Sequence, residues 1–206
     1  MVDLSNLARE LTPTAFFEEI LPDILGEIDV PSDAGTERLQ FHVTGPDGVD
    51  VHIGLDADKN FELEFGKAEK PPMALTASDN DFRSIVNGDL RDKIRAATGG
   101  VAIGPKQLRK AVMPDSKVQR IKLLAGDLQI RIQDKELGET YTYTLTLGGG
   151  TPNIAAPKCS ISLDVPTLLE AAGGKQPPQQ LFFQGRIRVD GDMSIMMGLM
   201  GVLTSP

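Results

Sequence analysis

The chain contains no tryptophan, a single cysteine and two histidines, and each scarcity closes off some chemistry. Cys159 has no partner, so an intramolecular disulfide and a thiolate-rich metal site are both excluded. His42 and His52 fall on neighbouring strand candidates with no carboxylate cluster at ligand spacing, which favours a surface pair over a metal site. Basic residues are in deficit too: 21 Lys and Arg stand against 29 Asp and Glu, a formal charge of −8. Such a surface repels phosphate backbones, which argues against a nucleic-acid partner. No apolar run approaches the roughly 20 residues of a membrane-spanning helix. The start, Met1-Val2-Asp3-Leu4, lacks the basic and apolar regions of a secretory leader. The expectation is a cytoplasmic chain without stable membrane insertion, metal or cofactor.

Catalytic groupings are missing as well. Asp190-Gly191-Asp192 has only part of a calcium loop and reads as a turn into a helix. Gly148-Gly149-Gly150 lacks the Lys-Ser/Thr of a phosphate loop. No acid, base and nucleophile are gathered. A binding protein is expected, not an enzyme.

What is present is a regular alternation of patterns. Thr12-Pro13 opens a helix carrying Phe16, Phe17, Ile20, Leu21, Ile24 and Leu25, with Pro22 placed to kink it or split it. Leu39–Val43, Val49–Leu55 and Phe61–Phe65 alternate apolar and polar residues around Gly45-Pro46-Asp47-Gly48 and Asp56–Asn60 turns, which predicts an antiparallel meander. Met73–Thr76 leads to Ser78 and a capped helix bearing Phe82, Ile85 and Val86 and ending at Asn87-Gly88, and Leu90–Ala97 suits another. Lys106, Arg109, Lys110 and Lys117 make the next segment the most basic part of the chain. It reads as an exposed connector with a helix at Lys106–Met113. Val118–Ile132 is strand-like, Thr140–Leu147 is β-branched and aromatic, and Lys158–Leu163 is a strand before the Asp164-capped helix of Leu168, Leu169, Ala171 and Ala172.

The order of elements repeats. The caps Ser78 and Asp164 lie 164 − 78 = 86 positions apart, and at that offset Leu75 meets Ile161, Phe82 meets Leu168 and Gly88 meets Gly174. This pattern predicts a diverged internal duplication, with halves at 1–115 and 116–206.

The end of the chain is its most unusual part. Arg186–Asp190 alternates like a strand, Gly191 breaks it, and Asp192 is placed to cap a closing helix. In that helix only Ser194, Gly198 and Gly201 interrupt Met193, Ile195, Met196, Met197, Leu199, Met200, Val202 and Leu203. A helix with no polar face must be covered by something. Eleven residues rise only about 16 Å against a hydrocarbon core of roughly 30 Å, so it cannot span a membrane. Methionine is flexible and suits surfaces that adapt to varied ligands.

From about Val118 to Leu203 the sequence resembles the sterol carrier protein domain (type two). The likeness rests on the strand Cys159–Leu163, the helix Asp164–Ala172, Gly173-Gly174-Lys175, and the run Phe183–Met193 with its Gly, basic/apolar strand and Gly-Asp before a terminal helix. The resemblance implies an α+β fold, a largely antiparallel sheet layered with helices, and an apolar tunnel lined partly by the last helix. It also implies binding or transfer of a fatty acid, acyl thioester, sterol or isoprenoid. The chain departs from the carriers in its apparent second copy and in ending Thr204-Ser205-Pro206 without a peroxisomal signal. Candidate lining residues are Phe82, Leu168, Phe182, Phe183, Met193, Met196, Met197 and Met200, with Ile195, Leu199 and Val202 on the neighbouring helix face for packing. A second reading keeps the fold but presents the Met-rich helix to a protein partner or a second copy of the chain.

Overall fold

The computed structural model describes residues 7–100 and 104–204; the leader reading at Met1–Leu4 and the closing Ser205-Pro206 lie outside them. Among the described residues eight strands make one sheet: β1 (Leu39–Thr44), β2 (Val49–Leu55), β3 (Phe61–Phe65), β4 (Met73–Ser78), β5 (Gly126–Asp134), β6 (Glu139–Leu147), β7 (Cys159–Asp164) and β8 (Arg188–Gly191). Their spatial order is β3-β2-β1-β4-β6-β5-β7-β8. Only β1–β4 and β5–β7 are parallel pairs; the others are antiparallel. The class is α+β, as the alternation predicts.

Strand periodicity sends odd-numbered residues to one face and even-numbered ones to the other, except in β5, where the register reverses the parity and sets Leu128 beside Leu145 and Cys159. The odd face carries two apolar clusters. In the first, Phe16, Phe17, Leu21 and Ile24 with Phe82, Val86, Leu90 and Ile94 cover Val43, Val51, Tyr141 and Tyr143. In the second, Val118, Ile121, Ile195, Leu199 and Val202 cover Leu128, Leu147 and Cys159. The even face holds Gln40, His42, Thr76, Thr144, Gln129 and Arg131, linked strand to strand by register.

Local chemistry explains the helices. Thr12 Oγ1 accepts from the Ala15 amide at 3.2 Å to start α1 (Pro13–Ala15). Pro22 offers no amide hydrogen, and the chain passes it through a wide π-wound turn at Phe16–Ile20 before α2 (Leu21–Gly26). The helical run thus continues past the proline as three successive pieces, the middle one π-wound. Ser78 Oγ accepts from the Asp81 amide to start α3 (Asp79–Val86), and α4 (Asp89–Thr98) follows. α5 (Pro105–Ala111) stands where the basic connector was expected to hold a helix.

Two expectations need correction. Val118 does not begin a strand: α6 (Asp115–Lys122) runs through it, because Val118 and Ile121 stand three apart and both enter the second core. The period-two pattern begins only at Gly126. Likewise Phe182 and Phe183 end a helix, α8 (Pro178–Phe183), and the following strand is confined to Arg188–Gly191.

The two parallel ladders match in form. Leu39↔Met73 through Thr44↔Ser78 runs for six pairs and ends on the cap of α3. Leu128↔Cys159 through Gln133↔Asp164 also runs for six pairs and ends on the cap of α7 (Val165–Ala172), where Asp164 Oδ1 accepts from the Thr167 amide at 3.0 Å. The second residue of each ladder is a buried glutamine that clasps a loop on the even face. Gln40 Nε2 donates to the Gly66 carbonyl and its Oε1 accepts from Ala68, while Gln129 Nε2 donates to the Ile154 carbonyl.

Lys93 on α4 bonds Asp134 at the end of β5 at 2.6 Å. Burial alone would raise the Asp134 carboxyl, but Lys93 and the amides of Leu137 and Glu136 outweigh it and hold it below its ordinary 3.8. A carboxylate depressed in the fold adds stability above its unfolded value, and that stability is lost as pH falls through the folded value. Asp134→Asn should therefore narrow its gap to the wild type as pH drops below about 4 in denaturant titrations. Parallel pH curves would show that the pair adds nothing.

Asp192 Oδ1 accepts from the Ser194 amide at 2.9 Å, at the start of α9 (Met193–Thr204). The bond also holds the Asp192 carboxyl below its usual range. Asp192→Ala should lower the melting midpoint by roughly 2–4 °C. No change would mean that the bond does not anchor the helix.

Candidate functional site

Where the two cores meet, α5 and α6 roof the β1–β2 end of the sheet and leave an apolar cavity of about 70 Å³. Leu39 and Phe41 form part of the floor, Leu25 of α2 a wall, and Leu108, Val112 and Met113 part of the roof. Glu37 is its one charged lining residue, and its carboxylate is taken by Lys122. Two open clefts adjoin it. One, of about 340 Å³ between α2 and β3, shares Leu25 and Phe61 with the cavity. The other, of about 530 Å³, shares Val112 and Met113 and adds Arg109, Lys117, Asp33 and Leu203, the last from α9. The arrangement offers an apolar interior between a largely apolar groove edged by Lys59 and Asn60 and a cleft with two cations and Asp33.

The expected lining residues do not meet round this cavity. Phe82 is a core residue, 4% exposed, stacked on Phe17 with ring centroids 5.3 Å apart. Leu168 borders the same core. Phe182 and Phe183 pair edge to face at 5.8 Å, with Phe183 84% exposed. On α9 it is Ile195, Leu199 and Val202 that are buried, and Met196 packs beside them. Met193, Met197 and Met200 turn to the outside, Met197 at 60% exposed. The reason is helical phase: residues 195, 199 and 202 share one face, and that face takes the sheet. The face expected to supply packing does so; the methionine face lies open. Gly198 permits the close approach of α9 to Leu124, whose Cδ2 stands 2.6 Å from where a β-carbon would be.

The residues missed are those of the roof. Leu108, Ala111 and Val112 recur at helical spacing, as do Val118 and Ile121, but the surrounding lysines and arginines gave the segment the look of a connector. Its apolar stripe was the available signal.

The remaining candidates for chemistry keep structural roles. His42 bonds Asp50 across β1 and β2, and His52 Nδ1 lies 3.0 Å from an Arg38 nitrogen. Cys159 is fully buried in the second core, and burial, with Asp192 and Asp190 nearby, raises its thiol. Such a thiol is a poor nucleophile. Among the described residues no three of His, Cys, Asp and Glu are grouped to hold a metal ion, and no helix is long and apolar enough to cross a membrane.

Residues 106–204 match the sequence model of the SCP-2 sterol transfer family. Over 106 residues the chain is 26% identical to Sterol carrier protein 2 of Gallus gallus and to that of Bos taurus. The alignment covers 49% of this chain and 19% of each relative, so the chain spans about a fifth of their length. Among solved structures, Sterol Carrier Protein 2 from Yarrowia lipolytica in its apo form is 19% identical, with a TM-score of 0.34 over 58% of this chain and 91% of that one. Sterol Carrier Protein 2 Like 2 from Aedes aegypti is 17% identical, with a TM-score of 0.33 over 43% of this chain and 94% of that one.

Proposed function

We propose that the chain, whose residues 106–204 match the sequence model of the SCP-2 sterol transfer family, binds and transfers a single-headed lipid without transforming it, as a fatty acid, acyl thioester, sterol or isoprenoid. The tail enters the apolar cavity under α5 and α6, and a polar or anionic head stays in the cleft of Arg109 and Lys117, beside the end of α9. The observation that carries this reading is the run of adjoining spaces, apolar at its centre, with a pair of cations at one mouth and the single Lys59 at the other. Each methylene taken from water contributes about 0.8 kcal/mol, so few polar contacts are needed.

At about 70 Å³ the cavity is smaller than the roughly 300–1,000 Å³ of ordinary ligand sites. The roof must therefore yield on binding. α5 is the part suited to move, being only seven residues long and started by Gly104 with no side-chain cap. A helix that short has little stability of its own.

The matched ladders and the two glutamine clasps support reading 1–115 and 116–206 as diverged copies, joined where β4 pairs with β6. On this view the cavity lies at the seam: the first copy supplies its floor and α5, and the second adds Val118 and Ile121 of α6.

A second reading rests on the open methionine face. Met193, Met197, Met200 and Leu203 are exposed, and with Phe182 and Phe183 they offer adaptable apolar surface to a ligand or to a protein partner. Titration of the full chain with a fluorescent fatty acid, together with organic extraction of the purified protein, tests the first reading. Saturable uptake with extractable lipid is expected. Neither uptake nor lipid, with association that rises with protein concentration, would leave the interaction module in its place.

A further inference from the structure

On the sheet face away from both cores, a cleft of about 410 Å³ opens beside β5, β7 and the start of β8. Register sets its cations in a row. Arg131 of β5 lies beside Ser162 of β7, and Ser162 beside Arg188 of β8. Lys135 and Arg186 also line the cleft, against a single acid, Asp164. Four cations to one carboxylate is the reverse of the balance in the whole chain, where acids lead 29 to 21.

Two of the four are already engaged. Arg186 donates to both Glu170 oxygens, at 2.7 and 2.9 Å. Lys135 reaches Asp164 at 3.3 Å, and Asp164 is itself occupied in capping α7. Arg131 and Arg188 differ. Arg131 commits its Nε to Gln129 Oε1 at 2.6 Å, and its terminal nitrogens have no partner among the described residues. Arg188 has no ion pair there either. Neighbouring strands lie about 4.8 Å apart, so two guanidinium groups stand roughly 10 Å apart at the backbone with a hydroxyl between them. An anion placed over Ser162 would relieve their mutual repulsion.

The donor set indicates which anion. A guanidinium fork matches a carboxylate or a phosphate in pairs of hydrogen bonds. A carboxylate, with two oxygens, is satisfied by one fork. Two forks in one row with the Ser162 hydroxyl between them, in a cleft that Thr140 also lines, suit a group with three or more free oxygens. We propose that this cleft is a phosphate site that takes the monoester or diphosphate end of an organic phosphate. It lies on the opposite face from the apolar cavity, so it stands whether or not the lipid reading does.

Calorimetric titration of the full chain with inorganic pyrophosphate tests the site. Saturable binding is expected, weakened about tenfold by R188Q and about a hundredfold by R131Q with R188Q, since each charge-assisted contact is worth roughly a factor of ten. Arg188 is exposed and makes no ion pair among the described residues, so R188Q should not move the melting midpoint; R131Q also frees the buried Gln129 Oε1 and should lower it while unfolding stays cooperative. K67Q, on the same face in the first half, should leave binding unchanged. Absence of saturable binding in the wild type, or equal weakening by K67Q, would overturn the proposal. Flotation with phosphatidylcholine vesicles carrying phosphatidic acid identifies the source. Retention lost in the double variant assigns a lipid headgroup; no retention with pyrophosphate binding intact assigns a soluble phosphate.

Discussion

Phe17→Ala should destabilise the fold by about 3–5 kcal/mol, the range for removing a buried aromatic ring. Phe17 is 1% exposed and sits at the centre of an aromatic group. Its ring stacks on Phe82 at 5.3 Å, meets Phe16 edge-on at 5.5 Å and leans on Phe41 at 5.5 Å. No other ring can take its place, because its partners belong to a helix, a strand and its own π-wound turn. A drop in melting midpoint on the order of 10 °C is expected. A loss under about 1 kcal/mol would mean that the first core closes around the gap, contrary to its dense packing.

The second large effect concerns uptake. Leu108→Gln with Val112→Gln places two amides in the roof of the apolar cavity, where each must be desolvated against a bound chain at a cost of roughly 1–3 kcal/mol. Affinity for a fluorescent fatty acid should fall by at least about tenfold. Both residues are only half-buried, Leu108 on α5 and Val112 just past its end, so cooperative unfolding should persist. Met197→Gln with Met200→Gln, on the open face of α9, should leave uptake in place. The reverse pattern, uptake lost with the methionines and kept with the roof variant, would move the ligand to α9.

Most of the fold was legible in the sequence because it is written locally. Alternation placed the strands, and Thr12, Ser78 and Asp164 stood at helix starts where their side chains accept backbone amides. What was not legible depends on long-range neighbours. The π-wound turn before Pro22 and the helical state of Val118–Lys122 follow from tertiary burial, which a short window cannot rank against strand propensity. The site shows the same limit more sharply. A helix without a polar face implies a cover but does not say which face receives it. The methionines drew attention by composition, while Ile195, Leu199 and Val202 took the core by shape. Phe82 was legible as a large apolar residue at the right spacing, and it serves the core and not the cavity. The roof was hidden by its own charges, because Arg109 and Lys117 alternate with the apolar residues that face inward.

Photo-crosslinking with a diazirine-tailed fatty acid, followed by digestion and mass spectrometry, tests the central claim most directly. Light-dependent adducts are expected on peptides from the cavity wall, within 104–121 of the roof and 37–61 of the floor, and free palmitate should compete them away. Adducts confined to 181–203, or no adducts above the dark control, would contradict the account.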